Sequence, residues 1–164
     1  MGDLMAWTEP LARYAELRMQ RAADFVIGAP RRYMERWFVV PRNPAGNAYL
    51  HRFWRSDDDQ ALHDHPWPSV SIVLRGGYVE HTIAAGGIHR RRIRRPGDVI
   101  FRGPQAAHRI EIDPTLAGPG EVVTLFLTGP RIREWGFHCP KGWVHWRDFT
   151  SADGRTVDQG CGEA

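Results

Sequence analysis

His63 and His65 stand one residue apart at the head of the stretch His63-Asp64-His65-Pro66-Trp67-Pro68-Ser69-Val70-Ser71-Ile72-Val73-Leu74-Arg75-Gly76-Gly77. On an extended backbone, residues i and i+2 project to the same face, so both imidazoles can serve one point. Pro66 and Pro68 disfavour a helix there. Val70 to Leu74 has strand composition, and Gly76-Gly77 signals a tight hairpin. A histidine pair alone is weak evidence of a metal site, but His108 supplies a third imidazole. It follows a Pro96-Gly97-Asp98 turn, a short apolar strand and a Gly103-Pro104 corner, and it opens a further strand. Neutral imidazole nitrogens suit zinc at about 2.0 to 2.1 Å. They also serve Fe(II), Ni, Cu or Mn. The expectation is one divalent transition metal on His63, His65 and His108, with iron preferred.

The elements that must hold these residues are mostly strands. Tyr33 to Val40 and Ala48 to Trp54 read as strands separated by the turn-rich Pro41 to Gly46. In the second of them Tyr49, His51 and Phe53 share one face. Ser56 to Gln60 is an acidic loop without the glycine and glutamate spacing of a calcium loop, so it reads as a solvated turn. Tyr78 to Ile83, Ile88 to Arg94 and Glu121 to Thr128 are further strands, and Asp113 to Gly120 is a loop. Before them, residues 8 to 25 read as a helix: Thr8 can cap, Pro10 suits the first turn, and Leu11, Ala15, Met19 and Ala22 repeat at helical spacing. This helix is expected to lie across the outside of the strands. The domain plan is a helix and lead-in over residues 1–30, a β-barrel over 31–150 with a Trp-rich extension, and a polar, glycine-rich tail over 151–164. That tail is expected to be disordered, with no apolar anchor.

The two histidine segments together resemble the paired motifs of the cupin superfamily. There a His-x-His pair is followed by a glutamate and a glycine, and a second motif runs from a glycine through Pro-x-Gly to a third histidine. Gly76 falls where the first motif ends, Gly97 where the second begins, and His108 where its histidine belongs. Ser69 occupies the usual glutamate position, and Gly103 and Gln105 replace the second motif's proline and glycine. The likeness spans roughly residues 46 to 130, and the joint spacing is far more specific than either half. It implies an all-β fold, a double-stranded β-helix or jelly-roll barrel, with the metal inside its mouth. The Leu50-His51-Arg52-Phe53 and His63 to Trp67 stretches, with Arg133 to Trp143, are similar to a small cupin-like family of bacteria and their phages.

With Ser69 in place of the glutamate, the implied ligands are three neutral imidazoles. An ion so held keeps its full charge, which raises its Lewis acidity. The set argues against oxygenases that need two histidines and a carboxylate. Its nearest functional resemblance is to three-histidine cupins such as thiol dioxygenases. The function expected is a metal-dependent oxygenase on a small, anionic substrate. The alternatives are an isomerase or lyase on the same site, or a non-catalytic binding or sensor module. His51, Tyr49 and Tyr78 are the candidate catalytic residues. Arg75 and Arg102 are the candidate carboxylate clamps, with Trp67 and Ser69 also assigned to substrate binding. Glu80 could replace the missing carboxylate if turned inward, but a charged side chain is expected to face solvent. Cys139 could offer a thiol at the barrel mouth, with packing among the tryptophans the other reading.

Composition limits the rest. In 164 residues, 42% are hydrophobic, enough for one domain with a core. Arg90, Arg92 and Arg94 share a strand face, yet a net charge of only +3 is weak for a nucleic-acid binder, so that face reads as solvated. No apolar run approaches a membrane span, and no secretory leader is visible. Two cysteines are too few for a disulfide framework. A cytoplasmic protein with a small-molecule substrate and a possible homodimeric state is the expectation.

Overall fold

Short runs of alternating side chains pair into two six-stranded antiparallel sheets in the computed structural model of the chain. It describes residues 7–28, 31–57, 61–118, 121–149, 151 and 161. In chain order the strands are β1 (Phe25–Ile27), β2 (Met34–Phe38), β3 (Asn47–Phe53), β4 (Leu62–His63), β5 (Ser69–Arg75) and β6 (Tyr78–Ala84). They continue as β7 (Ile88–Arg94), β8 (Val99–Arg102), β9 (His108–Glu111), β10 (Val122–Thr128), β11 (Gly136–Cys139) and β12 (Gly142–His145). One sheet has the order β1-β2-β3-β10-β5-β8 and the other β12-β11-β4-β9-β6-β7. The all-β expectation holds, and the fold is a double-stranded β-helix.

Residues directly opposite in an antiparallel pair share a face. Phe53 pairs with both Met34 and Val122, and all three lie in a buried cluster with Val73, Tyr78, Ile100 and Ile110. That cluster fills the closed end of the barrel. A second cluster lies on the outer face of the first sheet, where Trp37, Leu50, Leu74 and Val123 meet Ala15 and Met19. Those two residues belong to α1 (Glu9–Arg18), which therefore covers the outside of the barrel as its apolar spacing requires.

The helix is shorter than its periodicity suggests. It ends at Arg18, and the aromatic and β-branched run Phe25–Ile27 pairs with β2 instead. Thr8 makes no side-chain capping bond; its carbonyl accepts from the Ala12 N–H at 2.9 Å. The expected loop after β9 contains one helical turn, Pro114–Ala117, capped by Asp113 accepting from the Thr115 N–H at 2.8 Å. At the β5–β6 hairpin Gly76 has φ +64°, and a Cβ there would sit 2.5 Å from the Glu121 carbonyl oxygen. Left-handed backbone and close approach both demand glycine.

Cys139, the last residue of β11, is joined to Cys161 by a disulfide, with Cα atoms 5.7 Å apart. Cys139 therefore offers no free thiol, and position 161 of the tail has an anchor that polarity alone did not suggest. The rest of the tail beyond Ser151, apart from Cys161, lies outside the described residues, as do Asp58, Asp59 and Gln60 of the acidic loop. Among the described residues no helix is long and apolar enough to cross a membrane.

Under oxidising conditions Cys161→Ser should lower the unfolding free energy by roughly 3 kcal/mol, the scale for closing a loop of 22 residues. The difference should disappear when both proteins are unfolded by urea in the presence of reductant.

Candidate metal centre

β4 and β9 lie side by side with His63 opposite His108. His65 follows two residues on, its N–H bonded to the Pro104 carbonyl at 3.2 Å, which anchors the segment beside the Gly103-Pro104 corner. The three rings meet with centroids 5.0 to 5.2 Å apart. Nε2 of His65 stands 2.9 Å from Nε2 of His108, and one ring nitrogen from each histidine falls within 4.8 Å of the others. Asp64, between the pair, points the other way. It is 1% exposed and accepts from the Gly136 N–H at 2.9 Å and the Trp143 indole at 3.1 Å, with Arg133 at 2.9 Å. Burial alone would raise its pKa, but Arg133 and these donors hold it below the usual carboxylate range.

Carboxylates stand behind two of the three rings. Glu80 Oε1 is 3.4 Å from His108 Nδ1, a long contact that is nevertheless the partner nearest that buried nitrogen. Asp57 Oδ2 is 3.8 Å from His63 Nδ1 and is itself fixed by the Ile110 N–H at 2.7 Å and the Tyr33 hydroxyl. Carboxylates placed there favour a proton on Nδ1 and leave the Nε2 lone pair facing the centre. Burial, followed by neighbouring positive charge, pushes His65 well below its ordinary pKa and His108 down to about 4, so both rings are neutral near pH 7.

These residues fit a divalent ion. Two lone-pair nitrogens 2.9 Å apart repel unless a proton or a cation lies between them. Nitrogens each about 2.1 Å from one ion and at right angles to it stand about 3.0 Å apart. The donor set is three imidazoles, with no carboxylate among them.

Glu80 corrects the expectation that it faces solvent. It is 1% exposed and lies between two guanidiniums, accepting from Arg94 Nε at 2.7 Å and Arg102 Nε at 2.8 Å. Burial opposes its ionisation, but His108 and Arg102 together hold its pKa far below the usual range. Arg102 is thereby committed to Glu80 rather than open to a substrate. Arg75 lies elsewhere. A register shift between Val123 and Thr124 turns it to the helix side, where it pairs with Glu16 and, at 3.7 Å, with Glu121. Tyr78 is 1% exposed and packs in the buried cluster with Met34, Phe53 and Val73. Ser69 and Trp67 follow His65 closely, and both Ser69 Oγ and Trp67 Nε1 are buried without a hydrogen-bond partner.

Tyr49 and His51 do share the barrel interior. Their rings stack at 5.9 Å, His51 also stacks on Phe126 at 5.2 Å, and Phe126 lies 6.1 Å from His65. Trp135, stacked on His65 at 6.5 Å, forms another wall. The residue not anticipated is Arg36. In β2 it sits opposite His51, donates from Nε to His51 Nε2 at 2.8 Å, and places its guanidinium 4.7 Å from the Tyr49 ring centre. Its signal was one charged residue on the strand face that also carries Met34 and Phe38. Burial and the charge of Arg36 together drive His51 far below its ordinary pKa.

The sequence matches no protein-family model and no curated protein. Solved structures do align with it. One is a candidate mannose-6-phosphate isomerase from Ralstonia eutropha JMP134, 19% identical with TM-score 0.50, covering 66% of this chain and 93% of its own. Another is Fe(II)-HppE with an alternative substrate, 14% identical with TM-score 0.51, covering 68% of this chain and 57% of its own. A third is the Mn(II) enzyme oxalate decarboxylase of Bacillus subtilis, 15% identical with TM-score 0.50, covering 73% of this chain and 30% of its own. The chain has the cupin fold. At these identities the likeness establishes that fold alone, and cupins of one architecture host unrelated reactions.

Glu80→Gln removes the negative charge that Arg94 and Arg102 share while keeping its volume. The variant should lose about 3 to 5 kcal/mol of unfolding free energy, the usual cost of stranding a buried charge. Urea midpoints within experimental error of each other would contradict that account.

Proposed function

We propose that this cupin binds one divalent transition metal, iron preferred, on His63, His65 and His108, and acts as an oxygenase on a small organic anion. One observation carries the reading: three ring nitrogens converge on a point, with carboxylates behind the rings rather than among the ligands. When bound, the ion would supply Lewis acidity and, as iron, the capacity to activate oxygen. The chain's own residues account for the rest. Asp57 and Glu80 place negative charge behind His63 and His108, on the Nδ1 side of each ring. Trp135 and Phe126, packed against His65, keep bulk water from that side of the ring.

Isomerisation on the same site calls for a side chain that takes a proton and returns it. His51 is poorly suited, because its Nε2 is occupied by the Arg36 N–H and its environment resists protonation. That favours oxygenation over the isomerase or lyase alternative. The fold neighbours span an isomerase candidate, an Fe(II) enzyme and an Mn(II) decarboxylase, which supports metal chemistry in general and does not select the reaction.

Elemental analysis of protein purified without chelator should find close to one transition metal per chain, and His65→Ala should remove most of it. With Fe(II) restored, wild-type protein should consume oxygen when offered a panel of small carboxylic acids, and His65→Ala should not. Equal metal in both proteins overturns the ligand assignment. Full metal loading, with carbonyl substrates isomerised and no oxygen uptake across the panel, overturns the oxygenase reading.

A further inference from the structure

The geometry points to Arg36 as the residue that binds the substrate's carboxylate, or an equivalent planar anion, inside the barrel. The inference deepens the proposed function and takes from it the place of the ion, but the anion site is tested separately.

Buried cations ordinarily come with a counter-ion. The other arginines near the centre obey that rule: Arg94 and Arg102 share Glu80, and Arg133 pairs with Asp64. Arg36 does not. Among the described residues no carboxylate comes within ion-pair distance of it, although burial has already drawn its pKa down to about 10. At neutral pH it is still a cation, with no carboxylate paired directly to it among the described residues.

The way it is held leaves that charge available. Nε is committed to His51 Nε2 at 2.8 Å, and the guanidinium plane rests over Tyr49. Neither contact neutralises it, and both fix its direction. The two terminal nitrogens form the edge of the guanidinium that recognises a carboxylate through parallel hydrogen bonds. Arg36 also acts electrostatically on His65, so the cation and the histidine cluster belong to one interior. Arg42, whose guanidinium lies 5.8 Å from the Phe38 ring centre, adds positive charge on the same side. Glu80 offers no compensation, being outnumbered by its own two arginines. His51 becomes a positioning residue: a neutral acceptor that aims the guanidinium without cancelling its charge.

The substrate class follows from this. It carries one planar anionic group for Arg36 and a second donor or reactive group that reaches the three histidines.

Calorimetric titration of the Co(II)-loaded protein with glycolate and with glycolamide, its neutral isostere, tests the assignment. Wild type should bind glycolate more tightly than glycolamide by on the order of tenfold or more, the worth of a charge-assisted pair. Arg36→Met should cut that preference by about tenfold while leaving glycolamide binding and Co(II) content unchanged. Arg36→Lys should recover part of it, as charge without the fork. Equal binding of the two ligands by wild type, or a preference undiminished in a folded Arg36→Met protein, overturns the assignment. Repeating the titration on chelator-treated protein separates the two proposals. A glycolate preference that persists there and depends on Arg36 supports the anion site even where Co(II) fails to bind and the metal reading falls.

Discussion

The structure depends most on one buried carboxylate. Glu80 lies on β6, between Arg94 on the adjoining edge strand β7 and Arg102 on β8, the edge strand of the opposite sheet. The two sheets are not hydrogen-bonded across that seam, so the Arg94–Glu80–Arg102 bridge ties their free edges together. A buried carboxylate costs several kcal/mol to desolvate and persists only where its lone pairs are met. Here two guanidiniums meet them, and what remains of Glu80's reach falls on His108. The carboxylate that bridges the seam also stands behind a histidine of the candidate centre.

A second tie runs from the histidine pair to the end of the chain. Alternation sends His63 and His65 inward and Asp64 outward, where Asp64 becomes the acceptor for Gly136, Trp143 and Arg133. The Trp-rich hairpin of β11 and β12 is thereby fixed against the back of the His-Asp-His segment. Trp135, just before β11, can then stack on His65 and on Trp146. One extended tripeptide thus presents two imidazoles to the interior and gathers their aromatic wall behind them.

Much of this was legible in the sequence. The His-x-His pair and distant His108 announced their convergence because strand alternation is rigid and the spacing matched a known pair of motifs. Helix α1 and most strands were readable from period alone. What alternation could not supply was the identity of partners across strands. Glu80 reads as solvent-facing by residue type, and only the pairing of β6 with β7 and β9 shows that it meets Arg94 and His108. Arg75 looked close to the centre by sequence distance, but a β-bulge turned it to the helix face. Arg102 looked free because its partner was unknown. Arg36 is a single arginine in a short strand, a position that residue type alone marks as solvated. The Cys139–Cys161 link joins positions too few and too far apart for sequence to pair.

The charges of the interior complete the argument. Two arginines outnumber Glu80 at the seam, and Arg36 has no carboxylate partner among the described residues. The imidazoles of His65 and His108 are held neutral by burial and by the same arginines. A divalent ion on such ligands adds charge of the same sign, and a low-dielectric pocket screens it poorly. Asp57 behind His63 and Glu80 at the seam are the carboxylates that face this charge, and an anion at Arg36, as proposed, would offset more of it. The positive interior disfavours cations and gives neutral molecules no electrostatic advantage. Arg102 thus serves two ends at once, meeting Glu80 at the seam and lowering the basicity of His65 and His108.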